Sequence, residues 1–102
     1  VVSEFWSVVT HPTSVGGPST PQQAAGFLRA LVAAGAQILD PQPGFGVRLT
    51  ALAEQLGLQG PRIFDLQIGL IALEAGAHVV WTHDPGFLAP PGLNIHDPLA
   101  GA

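Results

Sequence analysis

Lysine is absent from this 102-residue chain, and so is cysteine. Without cysteine there is no disulfide framework and no thiolate metal site, and the composition suits a reducing compartment, so the cytoplasm is the expected location. Without lysine, only Arg29, Arg48 and Arg62 stand against seven carboxylates, for a net charge of -4. Each neutralised phosphate needs a cationic partner, which excludes tight nonspecific nucleic-acid binding by the chain alone. Charged residues make up only 10% of the chain, but 47% is hydrophobic, which excludes disorder driven by charge and low hydrophobicity. Long apolar runs are missing as well. The longest, residues 68–73 with Gly69 inside it, stops at Glu74, well short of the roughly 18 residues of a membrane span. A soluble protein with no membrane partner is expected. Its length suits one domain over residues 1–102, since single cores organise roughly 100 to 150 residues. The chain opens Val1-Val2-Ser3 with neither the basic nor the apolar region of a signal peptide, and a fragment or processed chain is expected.

What is present alternates between helix and strand signals. Phe5, Val8 and Val9 predict a short helix over residues 4–10, closed by His11-Pro12. A loop over residues 13–19 leads to Thr20, Pro21 and Gln23, the N-cap, first helical position and capping-box partner of a second helix. Ala24, Phe27, Leu28, Leu31 and Val32 line one face of that helix, and Gly35 stops it. Residues 37–39 read as a short strand before the break at residues 40–44. Val47, Leu49, Leu52, Ala53 and Leu56 then outline another amphipathic helix ended by Gly57. Gly60-Pro61 opens a helix over residues 62–75 that is apolar on nearly every face and therefore predicts burial on several sides. Residues 78–82 form an unbroken β-prone run, the pattern of a central parallel strand covered on both faces, and a last strand is expected near residues 94–96. Helices alternating with short strands predict an α/β fold with a mainly parallel sheet.

In open parallel sheets the reactive crevice lies beyond the carboxyl ends of the strands, and Asp84 sits just past the run ending at Trp81 and Thr82. Asp65 falls in the first turn of the apolar helix, where the helix dipole favours a carboxylate, and Glu4 opens the first helix. Singly, each acid has an ordinary explanation as a helix-start or turn residue. Thr82 is either a strand-ending residue or a hydroxyl that orients a carboxylate or meets phosphate. Arg62 is either a phosphate contact or a carboxylate partner. Trp6 and Trp81 fit core or interface positions better than base stacking. His83-Asp84 and His96-Asp97 spell the dipeptide of HD-type phosphohydrolases, but both follow strands, whereas those enzymes place their ligands on helices.

Taken together, Glu4 in Val2-Ser3-Glu4-Phe5-Trp6, Asp65 in Ile63-Phe64-Asp65-Leu66-Gln67 and Asp84 in Trp81-Thr82-His83-Asp84-Pro85 resemble the second, third and fourth acids of a PIN domain, the fold of VapC-type toxins. The ending Pro91-Gly92-Leu93-Asn94-Ile95-His96-Asp97 is similar to that family's last strand, and the resemblance extends from Glu4 to Leu99. It implies a three-layer α/β/α fold with a mainly parallel sheet, lacking the family's first strand and first helices. It also implies a metal-dependent ribonuclease in which Glu4, Asp65 and Asp84 hold Mg²⁺ or Mn²⁺ and a bound water cuts RNA. Thr82 and Arg62 would orient a carboxylate or contact phosphate. The partners implied are RNA, an antitoxin-like protein and a second copy of the chain. Two departures bear on activity. The family's first acid belongs to a strand that these residues do not include, and Pro85, Gly86 and Phe87 stand where many members carry a further acid or amide. The expectation is weak metal binding and slow cleavage, with a protein-binding remnant as the alternative.

Overall fold

Thr20 and Gln23 show how local chemistry sets the first well-defined boundary. In the computed structural model, which describes residues 1–100, the Thr20 hydroxyl oxygen accepts the Gln23 N–H at 3.1 Å. The Gln23 side-chain oxygen accepts the Thr20 N–H at 2.9 Å. Two otherwise orphaned helix-start amides are satisfied reciprocally, and Pro21 enters at a position where no N–H is needed. The chain runs α1 (Val2–Thr10), α2 (Pro21–Ala33), α3 (Phe45–Gln55), a 3-10 turn (Gly60–Arg62), α4 (Ile63–Glu74), β1 (Val79–Trp81) and β2 (Asn94–His96). At the ends of α3 and α4, Gly57 and Gly76 take φ of 62° and 93°, a region that residues with a Cβ avoid. The next amide in each case bonds back to Ala53 or Ala72, closing the helix in a Schellman arrangement.

The described chain divides into two compact units, Val1–Ile38 and Leu39–Ala102. In the first, α1 and α2 meet through a stack of Phe5 on Phe27, with ring centroids 5.4 Å apart. The Ser19 N–H bonds the Val9 carbonyl at 2.7 Å and returns the intervening loop to α1. The expected strand at residues 37–39 does not form. Ile38 and Leu39 are exposed in irregular chain that no strand pairs with, and three residues cannot hold an extended ladder alone.

The second unit builds its core on α4. Leu66, Gly69 and Leu70, spaced three and four apart, form its buried line, with Phe45, Pro90 and Leu93 also buried. Gly69 is required by contact: a Cβ there would lie 2.5 Å from Pro90 Cδ, 3.2 Å from Pro90 Cγ and 3.3 Å from Leu93 Cδ2. The expected burial of α4 on several sides is therefore corrected to one fully buried line, and Phe64 on another face is 59% exposed. Arg48 of α3 grips Glu74 at the end of α4 through two bonds of 2.6 and 2.8 Å, and a third donor reaches the Pro43 carbonyl at 2.8 Å.

β1 and β2 pair in parallel, with Val79 opposite Asn94, Val80 opposite Ile95 and Trp81 opposite His96. The molecule is thus mixed helix and sheet with a short parallel sheet, an α/β arrangement. β1 is not covered on both faces as its apolar run suggested. Val79 is 44% and Trp81 67% exposed, and only Val80 is half-buried. Trp81 is accordingly not a core residue, and Trp6 on α1 is exposed as well. No helix among the described residues is long and apolar enough to cross a membrane.

Candidate functional site

Two elements of the second unit deliver one carboxylate each to the same place. The 3-10 turn Gly60–Arg62 runs straight into α4, so Asp65 falls in the helix's first turn and Arg62 lies three residues before it, within side-chain reach. β1 ends with the Thr82 N–H bonded to the His96 carbonyl at 2.9 Å, and the chain then turns at residues 84–87. Asp84 shapes that turn. Its N–H is received by the Thr82 hydroxyl at 3.2 Å, its Oδ1 accepts the Gly86 N–H at 2.9 Å, and its carbonyl accepts the Phe87 N–H at 3.1 Å.

Arg62 ties the two acids together. A single nitrogen, Nη1, donates to Asp65 Oδ2 and to Asp84 Oδ2, each at 2.8 Å. The two carboxylate oxygens are consequently no farther apart than twice that distance. Asp65 Oδ2 also accepts the Leu88 N–H at 3.2 Å, which fastens the loop of residues 82–93 to the start of α4. Asp65 is mostly covered, at 17% side-chain exposure, whereas Arg62 and Asp84 are open at 44% and 45%.

The electrostatic consequence falls on Arg62 and Asp84. Arg62 is held above its ordinary value by its bonds to Asp84 first and Asp65 second. The Asp84 carboxyl is held below the usual range by the Arg62 guanidinium and then by the Gly86 N–H. Because the folded value is the lower one, this contribution to stability is complete above the unfolded carboxylate range, near about pH 4. It is lost as the pH falls through the depressed value. Carboxyl carbon NMR of Asp84 is expected to show a titration midpoint that rises in Arg62→Gln; an unmoved midpoint would mean that the pair carries no charge coupling.

The structure brings together Asp65, Asp84, Arg62 and, through its hydroxyl, Thr82. Glu4 stands exposed in the first turn of α1, within the Val1–Ile38 unit. Among the described residues, no three His, Asp or Glu side chains gather closely enough to hold a metal ion. The two His-Asp dipeptides do not act as dipeptides. His83 Nδ1 lies 2.9 and 3.1 Å from the two oxygens of Asp97, and His96 lies against Trp81 with ring centroids 4.7 Å apart. The signal for this crossed pairing is the parallel register, which sets the residues following Trp81 beside those following His96.

The chain is similar to Ribonuclease VapC48. The match, to the protein of Mycobacterium tuberculosis strains CDC 1551 / Oshkosh and ATCC 25618 / H37Rv, is 26% identical over 98 residues, covering 95% of this chain and 68% of the relative. Coverage that wide contains Arg62, Asp65, Asp84 and both strands within the matched stretch. No family model matches the chain.

Proposed function

We propose that the chain is a single PIN-like domain of the VapC toxin type, with a three-layer α/β/α fold, and a metal-dependent endoribonuclease. Its ligands for Mg²⁺ or Mn²⁺ are Asp65 and Asp84. The observation that carries this reading is the meeting of Asp65 and Asp84, from different elements, on one cationic atom beyond the end of a parallel strand. The similarity to a ribonuclease along 95% of the chain supports it.

The donor set fits a hard cation, because two or three carboxylates suffice for an ion that keeps several of its waters. When bound, such an ion supplies a water of lowered pKa and charge stabilisation on the phosphate oxygens. The chain's own groups do the placing. The Gly86 N–H fixes the Asp84 side chain while the Thr82 hydroxyl receives the Asp84 backbone N–H, and the Leu88 N–H fixes the side chain of Asp65. The test is RNA turnover in Mn²⁺ by the chain and by Asp84→Asn.

A second reading is an inactive domain that binds an antitoxin-like protein, one of whose arginines enters the acidic cleft. The specific observation favouring it is that the cleft already accommodates a guanidinium between its two acids. Both readings include self-association in the cytoplasm. β1 has a partner strand on one edge only among the described residues, and Val79 and Trp81 stand exposed beside the open edge. Light scattering at micromolar concentration is expected to give the mass of a dimer or larger, and a stable monomer counts against self-association.

A further inference from the structure

We infer that Arg62 is a built-in competitor for the carboxylate pair, a resident cation that must swing out before a divalent ion can bind. This rests on the metal-binding reading above and adds a specific role for one side chain.

The argument begins with occupancy. An ion bridging the two acids through Asp65 Oδ2 and Asp84 Oδ2 would use oxygens that are both engaged by the same guanidinium nitrogen at 2.8 Å. A divalent ion and a guanidinium cannot both sit between those two oxygens, because like charges only a few ångströms apart repel. The second step concerns what holds the acids when Arg62 leaves. Asp84 keeps the Gly86 N–H at 2.9 Å and its turn to Thr82, and Asp65 keeps the Leu88 N–H at 3.2 Å. The pair therefore stays in place, with two negative charges facing each other and no counter-ion. Third, Arg62 has room to move. It is 44% exposed, in a 3-10 turn at the edge of the helix. Its guanidinium lies against Gly86 so closely that a Cβ on that residue would collide with Nη2. A side chain at residue 86 would force the guanidinium to shift from this position.

The experiment uses Mn²⁺ alone, with free ion followed by electron paramagnetic resonance. Arg62→Gln is expected to bind Mn²⁺ about tenfold or more tightly than the unaltered chain, the scale on which groups beside metal ligands act. The gain should vanish in Arg62→Gln/Asp84→Asn. If circular dichroism shows that Arg62→Gln has lost its helices, Gly86→Ala, which displaces the guanidinium by contact, replaces it with the same expected direction. Independently, Mg²⁺ added to the unaltered chain should free the Arg62 guanidinium, seen by NMR as loss of its slowly rotating Nη protons. With only three arginines in the chain, that signal is readily assigned. Equal or weaker binding by Arg62→Gln, with measurable binding by the unaltered chain, overturns the competition and leaves the metal reading standing. A gain that survives Asp84→Asn places the ion elsewhere and also overturns it. No Mn²⁺ bound by either chain overturns both.

Discussion

Asp84→Asn is expected to lower Mn²⁺-dependent RNA turnover at least about 100-fold, because even groups that only support metal ligands are worth 10 to 100-fold. The substitution is nearly isosteric, and the amide oxygen can still accept the Gly86 N–H, so the turn at residues 84–87 is retained. What changes is charge. An NH2 group replaces the oxygen that faces Arg62 Nη1, leaving donor against donor and a single ionised acid in the cleft. Turnover by the unaltered chain is itself expected to be slow, since three arginines offer RNA little attraction and one of them is engaged with both acids. Cleavage that persists unchanged in Asp84→Asn would exclude this cleft as the active site. No cleavage by either chain would favour the protein-binding reading.

Leu66→Ala should produce the largest loss of stability, about 2 to 5 kcal/mol in urea unfolding of the Leu39–Ala102 unit. Leu66 is completely inaccessible, and buried apolar side chains are few: Phe45, Leu66, Leu70 and Leu93 in this unit, together with Pro90. With so small a core, one cavity removes a large share of a total stability that is modest to begin with. The same substitution is expected to loosen the cleft, because Leu66 immediately follows Asp65 and shares the helix face that meets Pro90 and Leu93 through Gly69. A shift of less than about 1 kcal/mol would mean that the neighbours collapse into the space.

The boundaries read from sequence were those written in short-range chemistry. The Thr20 capping box and the glycines that end three helices depend on residues within a few positions of one another, and the structure places them as expected. Both short strands were visible for the same reason, as β-prone runs between turn residues. Burial was less legible. The run ending in Trp81 carries no information about how many strands flank it, and an apolar strand with one neighbour leaves Val79 and Trp81 in solvent. Residues 37–39 failed as a strand because a strand exists only with a partner, which no local pattern supplies. In the site, Asp65 and Asp84 stood out by their positions at a helix start and beyond a strand end. Arg62 was legible as a carboxylate partner or phosphate contact, but its joining of both acids was not, because it reaches Asp84 across twenty-two positions, a contact that only the folded loop creates.

The two tryptophans are divided between the two units: Trp6 sits on α1 and Trp81 ends β1. The chain has no tyrosine, so its fluorescence under long-wavelength excitation comes from these two indoles alone. Trp6→Phe leaves an emitter solely in the unit that carries the carboxylate cleft, and Trp81→Phe leaves one solely in the helical pair. Each single-indole chain therefore reports the melting of its own half, and overlaying the two curves reveals whether the halves unfold as one cooperative body or in succession.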